Sequence, residues 1–293
     1  MQKLTESPFE TVTVIGDFEN GSAGWHELRN KPGVVGGSDV GVILGLSPWK
    51  SPLSLYHEAL GAVSGTLEQS MPMKIGTALE PALLALFESE HPALELFTIG
   101  TLGSVEHDWA HCNVDGLYRN SFGEWGILEL KFSSQFWDGE PPANYRAQVM
   151  YYLHVTGLKS AKIAGLVGSR WVEYDIQYDE FEALALWDQV VAFRNAVLTE
   201  TPPAFDGSDS TYQTMRELYP VGTDADEELG ELGISLCNAY DAFNAAKAHY
   251  TEMQSRTLEA LGDKKHGVVD GIRVCSKQQK GAGLPYLAMK GRK

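Results

Sequence analysis

The chain has 293 residues, enough for one large domain or for a domain with an appendage, and its 43% hydrophobic and 21% charged residues are those of an ordinary globular protein. No apolar stretch approaches the roughly 20 residues of a membrane span, and the N-terminus lacks a basic region followed by an apolar one, so a cytoplasmic protein with no membrane partner is expected. A net charge of -16 weighs against a broad nucleic-acid surface, because phosphate contacts need Lys and Arg.

Residues 1–24 read as a loosely ordered lead-in. Trp25-His26-Glu27-Leu28-Arg29 opens the structured part, and Lys31-Pro32-Gly33 makes a turn. A short helix over Val40 to Leu44 follows Gly36-Gly37-Ser38-Asp39, with Ser38 or Gly37 as its N-cap. Ser51-Pro52 starts a second helix, a cap followed by proline at the first helical position, which ends near Gly61. A third runs from about Met73 to Glu88 with Ile75, Leu79, Leu83, Leu86 and Phe87 at helical spacing. Pro81 should distort its ladder where Glu80 projects.

Residues 94–102, 110–118 and 125–132 read as three strands separated by turns. A helix over Asn144 to Val155 precedes two more strands, 161–168 and 171–178, and Asp179 caps a last core helix through about Leu198. This order predicts a mixed α/β fold, a core domain over 25–205 and an acidic linker over 206–231. Beyond it, Leu232, Leu236, Tyr240, Phe243, Ala246, Tyr250, Met253 and Leu261 form an amphipathic helical stripe, and Val268–Val274 is a hairpin turning at Asp270-Gly271. Residues 232–293 are thus a helix-hairpin appendage with a basic tail. Residues 263–293 carry eight Lys/Arg against Asp263 and Asp270, a local +6, while residues 1–262 hold 15 Lys/Arg against 37 Asp/Glu.

The three cysteines, Cys112, Cys237 and Cys275, make neither a disulfide framework nor a CxxC metal pair, and are too few for an iron–sulfur cluster. The chemistry lies elsewhere. Asp115 is followed after a short gap by Gly126-Ile127-Leu128-Glu129-Leu130-Lys131. In a strand Glu129 and Lys131 share one face, and Leu128 and Leu130 the other. Two carboxylates and an ammonium at the ends of neighbouring strands make a hard-cation site with a basic group beside it, suited to magnesium-dependent cleavage of phosphate esters. Taken singly, such triplets are usually solvated strand charges. Two further features add weight: Gly76 four residues before Glu80 on an apolar helix, and Gln148 one helical turn from Tyr152.

In this order, Gly-xxx-Glu, Asp, Glu-x-Lys and Gln-xxx-Tyr resemble the PD-(D/E)XK nuclease superfamily in its RecB-like branch. With Trp25-His26-x-Leu28-Arg29, Gly37-Ser38-Asp39 and Val114-Asp115-Gly116, residues 25–200 resemble the YqaJ-like phage recombinases, which include the lambda-type exonuclease. The resemblance implies a mixed central sheet flanked by helices. It also implies a metal-dependent 5′→3′ exonuclease that degrades one strand of linear double-stranded DNA and leaves 3′ overhangs for phage-type recombination.

Roles follow by position. Asp115, Glu129 and the Leu130 carbonyl would hold Mg2+, Glu80 would complete a second ion site, and Mn2+ would substitute. Lys131 would orient or deprotonate the attacking water, steadied by Gln148. Arg29 and Ser38 would bind the terminal 5′-phosphate, and Tyr152 and Gly76 would support the site. Trp49 is expected in or near the core, with stacking on a base at the DNA end as the alternative. The resemblance also implies a phage or prophage protein in a bacterial host, a single-strand annealing partner and a trimeric ring. A RecB-like nuclease acting on single strands or with mixed polarity, and a non-catalytic DNA-end binder, are the competing readings.

Overall fold

The structure, a computed structural model, describes residues 2–18, 24, 27–28, 31–64 and 71–290. They divide into two compact units, Met1–Val221 and Gly222–Lys293.

Two sheets organise the first unit. Strands β1 (Gln2–Leu4), β4 (Glu95–Ile99), β7 (Gly116–Arg119), β8 (Trp125–Ser133), β9 (Ser160–Val167) and β10 (Arg170–Gln177) form a six-stranded mixed sheet in the order β1-β4-β7-β8-β9-β10. β8 and β9 are parallel, with Leu130 beside Ala164 and Lys131 beside Gly165, while β7/β8 and β9/β10 are antiparallel. A smaller sheet joins β2 (Val12–Gly16), β5 (Thr101–Ser104), β6 (Ala110–Cys112) and β3 (Val35–Gly36) in the order β2-β5-β6-β3.

The mixed α/β expectation is met, and three local readings are corrected. The segment 1–24 supplies two strands: β1 pairs with β4 and β2 with β5. Residues 94–102 and 110–118 each break into two strands that serve different sheets, at Gly100 and at Asn113–Asp115. Asp115 therefore sits in the step from β6 to β7, and Gly116 opens β7.

Helix α1 (Gly37–Ile43) begins earlier than predicted. Its cap is Gly36, whose N–H donates to the Asp39 carboxylate at 3.0 Å. In α2 (Pro52–Ala59) the Ser51 hydroxyl accepts from the Ser54 N–H at 3.0 Å, the predicted cap. Helix α3 (Met71–Glu90) continues through Pro81. Only Leu83 and Phe87 of its stripe are fully buried, against Leu96, Leu128 and Leu130, while Ile75 and Leu86 stay exposed. Helix α4 (Ala143–Thr156) is the crossover between the parallel β8 and β9. It is buried continuously from Ala147 to Leu153, so it shows no one-sided apolar stripe. Gly157 at φ 73° stops it, in the left-handed conformation that glycine adopts without penalty. Asp179 caps α5 (Glu180–Leu198), accepting from the Glu182 N–H at 2.9 Å.

The alternation of β8 directs its two faces. Ile127 enters the core beneath α4, whereas Leu128 and Leu130 pack against α3. Each such fully buried side chain contributes roughly 1.5–3 kcal/mol. The stretch read as an acidic linker contains α6 (Asp209–Leu218), inside the first unit. Buried hydroxyls tie it to α2: Thr211 Oγ1 donates to Ser51 Oγ and Thr214 Oγ1 to Ser54 Oγ, each at 2.8 Å. The compact unit accordingly runs to Val221 rather than to 205.

The second unit holds α7 (Glu231–Leu261) and an antiparallel sheet of β11 (His266–Val269), β12 (Ile272–Gln278) and β13 (Tyr286–Met289). Asp270 and Gly271, at φ 50° and 78°, make the tight turn that Asp-Gly forecast. Leu261, Cys275 and Leu287 form its small core. The apolar stripe of α7 is largely exposed, with Leu232, Leu236, Tyr240 and Phe243 each more than 60% accessible.

Candidate active site

The end of β8, the β6–β7 step and the first half of α4 converge on one cluster. Glu129 is only 2% exposed. Its Oε1 accepts from Lys131 Nζ at 2.5 Å and from Gln148 Nε2 at 2.7 Å. The second amide hydrogen of Gln148 goes to the Tyr152 hydroxyl at 3.0 Å, and Gln148 Oε1 lies 3.3 Å from Lys131 Nζ. Tyr152 in turn donates to the Asn113 carbonyl at 2.7 Å. Asp115 Oδ2 accepts from the Leu130 N–H at 2.6 Å, which locks the β6–β7 step to β8. Thus Glu129, Lys131, Gln148 and Tyr152 are joined by a continuous hydrogen-bonded network, and Asp115, taken from the sequence with them, is tied to the intervening Leu130 backbone.

The electrostatics are unusual. Burial, then the charge of Asp115, pushes the Glu129 carboxyl up to about 8. Burial also raises Asp115, against the pull of Lys131 and the Leu130 N–H. Glu80 on α3 is raised to about 7 by burial and then by Asp115, so its carboxylate shares the same field. Lys131 is raised despite burial, because Glu129 and Asp115 hold it as a cation. Three carboxyl groups resist ionisation together, and one ammonium does not offset them.

Those carboxyls fit a divalent cation. Glu129 Oε2 is buried with no hydrogen-bond partner among the described residues, an oxygen aimed into a carboxylate-rich site. Oxygen donors of this kind suit a hard ion. Among the described residues no three His, Cys, Asp or Glu side chains form a ready-made cage, so Glu80 stands beside the Asp115–Glu129 pair rather than closing it.

Arg29 lies outside the described residues. Ser38 is exposed in the first turn of α1. Gly76 has open space where a Cβ would stand, so the structure gives it no packing role. Trp49 is 68% exposed, against the expectation of a core tryptophan, and flanks a cavity of about 420 Å3 lined also by Ser51, Asp206 and Ser208.

Two positions, and the role of a third, escaped the sequence reading. Tyr145 presents its ring 4.8 Å from Lys131 Nζ, a cation–π contact from the residue one turn before Gln148; its i, i+3 spacing to Gln148 was the available signal. Gly165 lies where a Cβ would meet the Lys131 carbonyl at 1.9 Å, and a glycine inside a strand marks such close approach. Gly37 gives way to Tyr152, whose ring a Cβ there would meet at 2.2 Å.

Residues 24–159 match the YqaJ-like viral recombinase domain. That segment is similar to the family over a little under half of the chain. The uncharacterized protein YqaJ of Bacillus subtilis (strain 168) is 29% identical over 246 residues, covering 80% of this chain and 75% of that protein. Among solved structures, an alkaline exonuclease from Laribacter hongkongensis is similar at a TM-score of 0.49 and 20% identity, over 61% of this chain and 94% of its own. A phage-related exonuclease from Haemophilus somnus 129PT is similar at 0.42 and 15%, over 57% and 96%. The matched segment includes Asp115, Glu129, Lys131, Gln148 and Tyr152. No helix among the described residues is long and apolar enough to cross a membrane.

Proposed function

We propose that the protein is a magnesium-dependent 5′→3′ exonuclease that degrades one strand of linear double-stranded DNA. The observation that carries this reading is the partnerless Glu129 Oε2 in a network that also fixes Asp115, Lys131 and Gln148. Asp115, Glu129 and the Leu130 carbonyl would hold one Mg2+ or Mn2+, and Glu80 would contribute to a second. Such cations polarise a phosphoryl oxygen, lower the pKa of water and offset charge in the transition state.

The protein's own groups supply the rest. Lys131, kept cationic by Glu129 and Asp115, donates toward a phosphate oxygen or an attacking water. That favours a clamp over a general base. Gln148 pins both Lys131 and Glu129, and Tyr152 pins Gln148. Ser38, in the first turn of α1, suits a terminal 5′-phosphate, and Arg29 is assigned to the same pocket. The resected 3′ overhangs would feed recombination through a single-strand annealing partner, and a ring-shaped trimer would hold the duplex.

Release of acid-soluble nucleotides from linear duplex tests the reading, with magnesium, using 5′-phosphate and 5′-hydroxyl ends. Rapid release favouring the phosphate is expected, and Lys131→Ala should abolish it with the circular dichroism spectrum unchanged. Full activity in that variant removes Lys131 from the chemistry. Faster release from single strands than from duplex transfers the site to the RecB-like alternative, and metal binding with no release from any DNA leaves an end-binding protein.

A further inference from the structure

The first unit repels a polyanion, because residues 1–221 hold 29 acidic against 13 basic side chains. The one stretch of opposite sign is folded. Between 263 and 290, Lys264, Lys265, Arg273, Lys277, Lys280 and Lys290 stand against Asp263 and Asp270. They decorate the β11-β12-β13 sheet, and among the described residues Lys265, Arg273 and Lys290 have no ion-pair partner. All three are exposed.

Register sets what they surround. His266 lies opposite Ser276, Ser276 opposite Ala288, and Gln278 opposite Tyr286, so these residues share one face of the sheet. Cys275 and Leu287 lie on the other face, packed with Leu258 and Leu261 of α7. The polar face offers the Ser276 hydroxyl, the Gln278 amide and a Tyr286 ring that is 47% exposed. Arg273 lies opposite Val268, two residues from His266, and Lys290 lies two residues beyond Ala288, so both belong to that face, while Lys265 pairs with Lys277 at its edge. At the sheet edge a cavity of about 390 Å3 is lined by Lys265, Lys277, Gln278, Gln279 and Pro285.

Like charges held together without counter-charges cost folding energy unless an anion completes them. Cations with amide and hydroxyl donors match phosphate oxygens, and an exposed tyrosine beside them offers a stacking plane. We propose that this sheet is a binding surface for the DNA phosphate backbone, centred on Lys265, Arg273 and Lys290. The assignment rests on the nuclease reading for its substrate class and adds to it a contact outside the carboxylate cluster.

The test is fluorescence anisotropy of the full chain in EDTA with a labelled blunt duplex and with a labelled single strand, from 50 to 200 mM salt. Lys265→Gln/Arg273→Gln/Lys290→Gln is compared with Lys247→Gln/Arg256→Gln, which removes charge from α7 instead. Loss of three phosphate contacts should lower the slope of log affinity against log salt by about 3 on duplex and about 2 on single strands. Affinity at 100 mM salt should fall at least tenfold, and the α7 variant should follow wild type. The larger loss of the two identifies the strand form that occupies the sheet.

Equal affinity and slope in the triple variant overturn the proposal, and so does a binding preference for polyglutamate over DNA, which would assign the sheet to an acidic protein. Nucleotide release separates the two readings. A triple variant that degrades duplex and binds it as wild type does removes only the sheet. A wild type that binds through these residues yet releases no nucleotide removes only the nuclease.

Discussion

Replacing Glu129 by Gln should stabilise the metal-free protein at alkaline pH and abolish its nuclease activity. Glu129 is 2% exposed, and its carboxyl moves from an ordinary 4.5 to about 8. The folded state then binds this proton more tightly than the unfolded chain does. The group's favourable contribution is complete below about pH 4.5 and is lost as pH rises through about 8. A tenfold change in proton affinity is about 1.4 kcal/mol, which caps the loss near 5 kcal/mol; relaxation of the site and entry of water reduce the expected value to about 2–3 kcal/mol. For a unit of this size that is a Tm change of roughly 5–10 °C.

Thermal unfolding in EDTA at pH 5 and pH 9, followed by circular dichroism, reads the difference. Wild type should lose about 5–10 °C more than Glu129→Gln between the two conditions. Asp115 and Glu80 are raised in the same direction and remain in both proteins, so the difference reads Glu129 together with its coupling to them. Adding magnesium at pH 9 should restore wild type and leave the variant unmoved. Parallel pH profiles for the two proteins would refute the premise that a desolvated, crowded carboxylate occupies this position.

Gly165→Ala should force β9 away from the Lys131 carbonyl and cost about 3 kcal/mol, read as a lower urea midpoint; an unchanged midpoint would deny the close approach. Tyr145→Leu should lower kcat by roughly 2- to 30-fold with KM unchanged, from a lost cation–π contact of about 0.5–2 kcal/mol, and Tyr145→Phe should restore most of it. Gly37→Ala should displace the Tyr152 ring from Gln148 and the Asn113 carbonyl, lowering stability by about 1–3 kcal/mol and activity with it. Near-UV circular dichroism reads that tyrosine directly, and an unperturbed spectrum would count against the clash.

The network was legible because its members lie on elements with simple periodicity. Glu129 and Lys131 are two residues apart on a strand, and Gln148 and Tyr152 are four apart on a helix, so each pair shares a face whatever the tertiary fold. What the sequence concealed depended on long-range partners. Residues 1–24 lack an extended apolar run, yet β1 and β2 are held by backbone pairing with β4 and β5. Asp115 was read inside a strand because 110–118 alternates plausibly; only pairing with two different sheets reveals the step that turns its carboxylate toward the Leu130 N–H. The helix at 209–218 was hidden for another reason. It is anchored through serine and threonine hydroxyls, which in a sequence look like linker composition.

Charge and chemistry in this chain oppose each other in a way that constrains how it can work. A buried carboxylate with a partnerless oxygen weakens the metal-free fold as pH rises, so a divalent cation acts on stability and on the site through the same atoms. The acidic surface meanwhile disfavours any polyanion, and monovalent salt screens that repulsion only while it also weakens phosphate contacts. On the proposed function the two requirements fall to different residues: oxygen donors in the first unit for the cation, and lysines and an arginine on the small sheet for the phosphates. Removing charge from the sheet should therefore alter the salt dependence of DNA binding without changing the pH dependence of metal-induced stabilisation. Neutralising Glu129 should do the reverse, and a variant of either kind that moved both properties together would show that the two sets of charges are not independent.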